Sequence, residues 1–484
     1  MQAAGEIVDR LVAAVDGARE RLGATPGVDA AGEPAAGNGS TGGGVPGVAE
    51  LDGLVDLWGE LAKGFVHALA GAASGSGLSG VETGTGRDRE NGKDGGASAA
   101  RGGPDRLPLV DDAVTPVDAA GTAPDAVGAA NAVGADDAVG ADDAVDLVDQ
   151  MLGDTGRQVR RAMLDAIPDG EPHPWLYRLV RSYPSRAGKS IRPALCLATC
   201  RAFGGTDADA LPLGVAIELL HNAFLVHDDI ADGSRRRRGR PTLANEHGVA
   251  LALNAGDALA VVAHQVLRHH CRGLADDIAD RIFEEFETMA LRTLEGQATE
   301  LGWRRDDVDG LTPEDYLGLI MRKTCWYTTI HPLRIGALAG SKGSADVRPM
   351  VRFGFYLGAA FQIRDDVLNL VGDEAVYGKE IDGDLYEGKR TLMLIHLMAQ
   401  AQGGDRATVE AYLRQERDQR TAEGVAEIRR MMDTYCSLDF AVEYAEGIAS
   451  AALDAFDQAF AAASPGHDTA FVRALVPYML GRRS

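Results

Sequence analysis

Positive charge is what this sequence most lacks. Lysine and arginine number 48 against 72 aspartates and glutamates, a formal net charge of -24, which excludes a chain whose surface at large attracts nucleic acid or anionic lipid, because such surfaces need a net positive field. An anionic ligand would therefore need a local basic pocket. The five cysteines are odd in number and form neither a CxxC pair nor a Cys/His set at zinc spacing. That excludes a disulfide framework or a zinc scaffold and points to reduced core thiols in a cytoplasmic protein. The first residues include acids and no unbroken apolar stretch, which argues against a secretory signal. No apolar run approaches the roughly eighteen residues of a membrane span, so no transmembrane segment is expected. Glycine, by contrast, is abundant at 60 residues, more than a packed chain of this length needs.

Composition changes near residue 145. Residues 1–144 are rich in Gly, Ala, Asp and Pro, with acids far outnumbering bases. Such a segment buries too little apolar surface to offset its ordering entropy and is expected to be largely disordered. Its stretch 125–145, DAVGAANAVGADDAVGADDAV, repeats every six residues; it lacks the bidentate Glu that closes calcium loops and reads as a spacer. Two islands, 5–22 and 48–71, stand apart. In the second, Leu51, Leu54, Val55, Trp58, Leu61 and Phe65 share one helical face, suited to docking on a partner or packing back on the rest of the chain. From 145 to 484 long apolar-periodic stretches alternate with short Gly/Pro/Asp punctuation. The fold class expected there is all-α, one large helical bundle around a central cavity.

Two acidic clusters carry the chemistry. Residues 211–232, LPLGVAIELLHNAFLVHDDIAD, read as a buried helix ending in charge. Asp228 and Asp232 are one turn apart on a common face, and Asp229 is turned away by about 100°. Stacked carboxylates repel unless a hard cation joins them, and oxygen-only ligands suit Mg²⁺ bound jointly with substrate phosphates. The second cluster, FQIRDDVLNL at 361–370, places Asp365 and Asp366 after another apolar helix, with Asn369 where a third acid would repeat the pattern. Two such helix ends facing across a cavity could hold several Mg²⁺ ions around a diphosphate. The run GSRRRRGRPT follows the first cluster, and the forks of Arg237 and Arg238 fit phosphate oxygens bidentately.

With these motifs the stretch from about 145 onward resembles the trans-isoprenyl diphosphate synthases of the polyprenyl synthetase family. GKSIRP resembles that family's GGKRxRP signature, with Ala187 for the first Gly. The resemblance implies that Lys189, Arg192 and His221 bind the diphosphate of isopentenyl diphosphate. His221 lies two turns before Asp228 on the same face, which agrees. It also implies that Lys323 and Thr324 of RKTCWY, Gln362, Lys379 of YGKEIDGD and Lys389 of EGKRTL serve the allylic diphosphate. GQATEL at 296–301 resembles the family's GQxxDL with Glu300 for the usual Asp, and the terminal GRRS resembles a basic tail that closes over diphosphate. The resemblance places metal coordination in the second motif chiefly on its first Asp, here Asp365, so activity is expected to survive Asn369.

The implied enzyme is a Mg²⁺-dependent prenyltransferase: an allylic diphosphate ionises, the isopentenyl double bond attacks the cation, and a proton leaves. Asp228, Asp232, Asp365, Lys323 and Arg237 would stabilise the departing pyrophosphate. Phe224, four residues before Asp228, is expected to floor the tail cavity, and the small Ala223 resembles enzymes that permit longer tails. C15 to C20 products follow, with geranylgeranyl diphosphate favoured. Two other readings are a class I terpene cyclase, whose second motif is not found, and a non-catalytic regulatory or scaffold subunit. The family also implies a homodimer. The Gly/Ala/Asp-rich extension with amphipathic islands resembles the tails that load enzymes into bacterial encapsulin-type shells, which would place the protein inside a cytoplasmic nanocompartment.

Overall fold

The computed structural model describes residues 141–372 and 381–481. Both N-terminal islands, most of the aspartate repeat, Lys379 and the last three residues of GRRS lie outside the described residues. The described part is all-α apart from one small hairpin. Its first helix, α1 (Ala141–Ala166), starts four residues before the boundary drawn at 145.

The central helices are apolar around most of their circumference, the pattern of helices surrounded by others. Helix α2 (Ile191–Ala202) is buried along nearly its whole length. Helix α3 (Asp207–Ala231) starts where the Thr206 amide donates to the Asp209 carboxylate at 2.8 Å, a reciprocal cap at the N-terminus. It packs against α4 (Val249–Cys271) and on α2. Helix α5 (Asp276–Arg305) and α6 (Pro313–Ile320) lead into a π-helical segment, Met321–Ile330, followed by α7 (His331–Gly340) and α8 (Pro349–Val371). Four of the five cysteines are buried and all five are free.

The π-helical segment is gripped between α5 and α8, and glycines permit the approach. A Cβ on Gly296 of α5 would lie 2.2 Å from the Lys323 amide nitrogen, and one on Gly358 of α8 would lie 2.6 Å from the Thr329 hydroxyl. Lys323 and Thr324 are thereby placed by backbone contact. Single π-turns are frequent at functional sites because the wider turn redirects side chains.

The expectation that no segment is long and apolar enough to cross a membrane needs correction. Helices Asp207–Ala231 and Val249–Cys271 both are, by length and composition. Neither helix is an unbroken apolar run: both reach their mean hydropathy through leucine, valine, isoleucine and alanine with a few polar interruptions. The first is a core helix, with 72% of its apolar window buried.

After α3 comes the hairpin of β1 (Arg236–Arg237) and β2 (Arg240–Pro241), paired Arg236 to Pro241 and Arg237 to Arg240. Its two-residue turn has positive φ at both positions, Arg238 at 52° and Gly239 at 73°, the turn that matches strand twist. So short a strand pair leaves no alternation to read in the sequence. Its effect is to aim Arg237 and Arg238 back at the helix end they follow.

Candidate active site

Both aspartate motifs open on one cavity of about 520 Å³. Asp228 and Asp365 line it together with Lys189, Arg192, His221, Arg237, Arg238, Lys323, Thr324, Gln362 and Lys389. Helices far apart in the chain have thus brought together most of the residues singled out from the sequence, with Asp232, Phe224 and Ala223 the described exceptions. Lys379 falls outside the described residues.

The three aspartates of the first motif have three different environments. Asp228 is partly exposed to the cavity and loosely held, with Gln297 at 3.3 Å, Arg237 at 3.5 Å and Lys323 at 3.6 Å. Asp229, turned away from Asp228 as the helical geometry requires, is buried and accepts from Tyr183 and from Arg237 Nε at 2.9 Å and Nη2 at 2.5 Å. Asp232 does not line the cavity. Its carboxylate is buried against Arg304 at 2.9 Å and Lys389 at 3.2 Å. Burial opposes its ionisation, but Lys389, Lys323 and Arg304 outweigh that and hold it well below the usual carboxylate range.

In the second motif Asp365 faces the cavity, and Asp366 accepts from the Tyr316 hydroxyl at 2.8 Å and from Gln362 Nε2 at 2.7 Å. Burial, with Asp384 nearby, pushes Asp366 up to about 8. Asn369 serves as a pin: its side-chain oxygen accepts from the Asp384 amide at 3.0 Å and its carbonyl from the Asp382 amide at 2.8 Å. A carboxylate there could accept the same bonds, but only by adding charge to a site already crowded with Asp366 and Asp384.

The cationic wall is built in the same interlocked manner. Lys323 donates to Glu300 at 2.7 Å, and Glu300 and Asp228 together keep its ammonium charged against the cost of burial. The position that departs from the GQxxDL pattern is thus still occupied by a carboxylate, and it pairs with Lys323. Lys389 is shared among Asp232, Asp384 and Glu387, and Thr324 donates to Gln362 at 2.9 Å. Arg192 stacks 4.2 Å over the Tyr327 ring and donates to the Thr328 hydroxyl at 2.8 Å. The His221 ring lies 5.7 Å from the same tyrosine. Phe224 is not itself on the cavity surface: it meets Tyr327 edge-on at 5.9 Å, and Tyr327 and Leu225 form that part of the wall. Ala223 is buried in the core.

Several functional candidates were not singled out from the sequence. Glu218 is fully enclosed at the cavity edge between Arg192 and Arg238, and burial raises its carboxyl against those two charges. Tyr183, Arg186, Arg304, Tyr316 and Asp384 belong to the same network. Glu218, Tyr183, Arg186, Arg304 and Tyr316 carry no local signal, because each acts on a residue distant in the chain, whereas Asp384 lies five residues from its partner Lys389.

The donor set fits a hard dication. Asp228 and Asp365 are oxygen ligands facing one cavity, and the contacts on Asp228 are long enough to exchange. Among the described residues no three carboxylate, histidine or cysteine side chains converge into a ready-made cage, so diphosphate oxygens would complete the shell, as Mg²⁺ prefers.

The model of the polyprenyl synthetase family matches residues 173–432. The chain belongs to the polyprenyl synthetase family. It is 35% identical over 285 residues to the geranylgeranyl diphosphate synthase of Sulfolobus acidocaldarius, an alignment covering 59% of this chain and 84% of that one. The crystal structure of geranylgeranyl pyrophosphate synthetase from Pyrococcus horikoshii superposes with a TM-score of 0.61 at 28% identity, covering 70% of this chain and 98% of that one. Geranylgeranyl pyrophosphate synthase from Corynebacterium glutamicum, complexed with isoprenyl diphosphate and magnesium, gives 0.62 at 25%, covering 69% and 99%. This family member is accordingly a trans-prenyltransferase with the isoprenoid synthase helical fold.

Proposed function

We propose that this synthetase condenses isopentenyl diphosphate with dimethylallyl, geranyl or farnesyl diphosphate to a C15 to C20 trans product, with geranylgeranyl diphosphate favoured. The observation that carries the reading is the opening of both aspartate motifs and the basic side chains onto one cavity. Lys323, Arg237 and Lys389 bind the allylic diphosphate, with Thr324 and Gln362 beside them. Lys189, Arg192, Arg238 and His221 bind the isopentenyl diphosphate. Asp228 and Asp365, with Asp232 behind them, would hold magnesium. Magnesium held there would supply charge neutralisation for the leaving diphosphate. As the allylic C–O bond breaks, Lys323 and Arg237 stabilise the oxygen that leaves. The isopentenyl double bond then attacks the allylic cation, and the released pyrophosphate accepts the proton. The apolar wall of Leu225, Leu319, Ile320 and Phe361 excludes water that would quench the cation. The magnesium and isoprenyl diphosphate in the Corynebacterium glutamicum relative support this assignment.

Purified full chain with Mg²⁺, isopentenyl diphosphate and each allylic diphosphate, analysed by mass spectrometry, tests it. Elongated prenyl diphosphate is expected. Consumption of the allylic substrate alone would indicate a cyclase, and no turnover a scaffold subunit.

Association follows as a second part of the proposal. Val249, Leu253 and Val261 of α4, and Leu291 and Leu294 of α5, are exposed, which supports a homodimer through these helices. Composition supports the extension as a loading tail for an encapsulin-type shell. Removing residues 1–140 should then abolish co-purification with a shell and spare turnover.

A further inference from the structure

The diphosphate arginines are held by a clamp in which Tyr183 and Arg186, from outside the motifs, meet the second aspartate of the first motif. Asp229 sits at its centre, 1% exposed. One of its oxygens accepts from the Tyr183 hydroxyl, and the other accepts both Nε and Nη2 of Arg237. The Tyr183 ring in turn carries the Arg186 guanidinium stacked at 4.4 Å. Arg186 Nη1 donates to the carbonyl of Arg237 at 3.1 Å and Nη2 to the carbonyl of Pro241 at 2.9 Å, so it ties both strands of the hairpin. The Arg186 carbonyl accepts from Arg238 Nη1 at 3.3 Å. On the same side Gly188 leaves the space that the Arg238 guanidinium fills, since a Cβ there would lie 2.6 Å from Nη2.

An arginine side chain has many rotamers, and ordering one at the moment of binding costs affinity. Here the ordering is done in advance. We propose that Tyr183 and Arg186 are positioning residues of the diphosphate site, Tyr183 orienting Asp229 so that Arg237 is fixed toward the cavity, and Arg186 seating the hairpin that carries Arg237 and Arg238. On this account the second aspartate of the motif anchors an arginine and does not bind metal. The inference rests on the function proposed above only in taking diphosphate as the ligand.

Inorganic pyrophosphate in the presence of Mg²⁺ is the probe, titrated calorimetrically into the full chain, so that prenyl chemistry is not required. Tyr183→Phe removes one hydroxyl from a charged acceptor and should raise the pyrophosphate Kd about tenfold. In an Arg237→Met background the same change should have an effect of no more than about twofold, because its target is gone. Equal losses in the two backgrounds would mean general destabilisation and overturn the proposal, as would an unchanged Kd in folded Tyr183→Phe protein. Arg186→Lys keeps the charge and loses the fork. It should weaken pyrophosphate binding in both backgrounds, because Arg238 is also seated by it, and wild-type affinity would overturn the role of Arg186. If wild-type protein binds pyrophosphate but elongates no prenyl chain, the function reading fails and the clamp stands.

Discussion

Gly296→Ala is a test of how far the π-helical segment can be moved. The new Cβ would sit 2.2 Å from the Lys323 nitrogen, 2.6 Å from its Cα and 2.8 Å from the Arg322 carbonyl carbon. All three are backbone atoms, so no side chain can swing aside. Ordinary contact begins at 3.4 Å, and 3.4 less 2.2 requires α5 and the segment to part by about 1.2 Å. That displacement carries Lys323 and Thr324 away from Asp228 on α3. A shift of about 1 Å in a positioned group costs on the order of a hundredfold in rate, and overpacking a close contact costs about 1–3 kcal/mol of stability. Steady-state elongation and thermal melting, measured side by side, should show kcat/KM down about a hundredfold in protein that is still folded at the assay temperature. Gly302, six residues on in the same helix, has nothing within 4 Å of a built Cβ. Gly302→Ala should therefore retain activity and gain up to about 1 kcal/mol in stability. Wild-type kcat/KM in Gly296→Ala, or equal losses in the two variants, would refute the reasoning.

Glu285 is paired with Arg334 at 2.5 Å and His331 at 2.6 Å, and although burial raises its carboxyl, these partners outweigh it and hold the group well below its ordinary 4.5. A depressed acid contributes stability that is fully present above its unfolded pKa and is lost as pH falls toward the folded one, so the melting temperature should drop from about pH 5 downward. Glu285→Gln should lose about 3 kcal/mol at neutral pH and show a shallower acid limb in pH-dependent melting; an unchanged limb would count against the pair. Phe224→Ala should lengthen products by letting Tyr327 tilt back, and Tyr327→Ala should lengthen them further, as read by mass spectrometry of the prenyl alcohols. Chelating Mg²⁺ should abolish elongation, and Asp228→Asn or Asp365→Asn should lower kcat by at least about a hundredfold, with added Mn²⁺ titrated to read the loss of binding directly.

The chemistry-bearing motifs were legible because each is compact. DDxxD, GKSIRP and the arginine run are strings in which helical or turn geometry alone sets which residues share a face, and Asp228, Lys189, Arg192 and Arg238 do line one cavity. The turning of Asp229 away from Asp228 also followed from helical periodicity. The length and apolar character of helices Asp207–Ala231 and Val249–Cys271 were less legible, because polar residues interrupt their apolar stretches.

By itself, the sequence determined the all-α class, the family and the residue types that meet the diphosphates, because short-range spacing and the hydrophobic period are properties of a few consecutive turns. Tertiary structure alone decided what each charged group does. The Tyr183 to Asp229 bond spans 46 residues and the Arg304 to Asp232 bond 72, and whether an aspartate faces metal, anchors an arginine or pairs with a buried cation depends on which distant helix packs beside it. Electrostatic energy depends on distance in space and on burial, and neither is set until the helices pack.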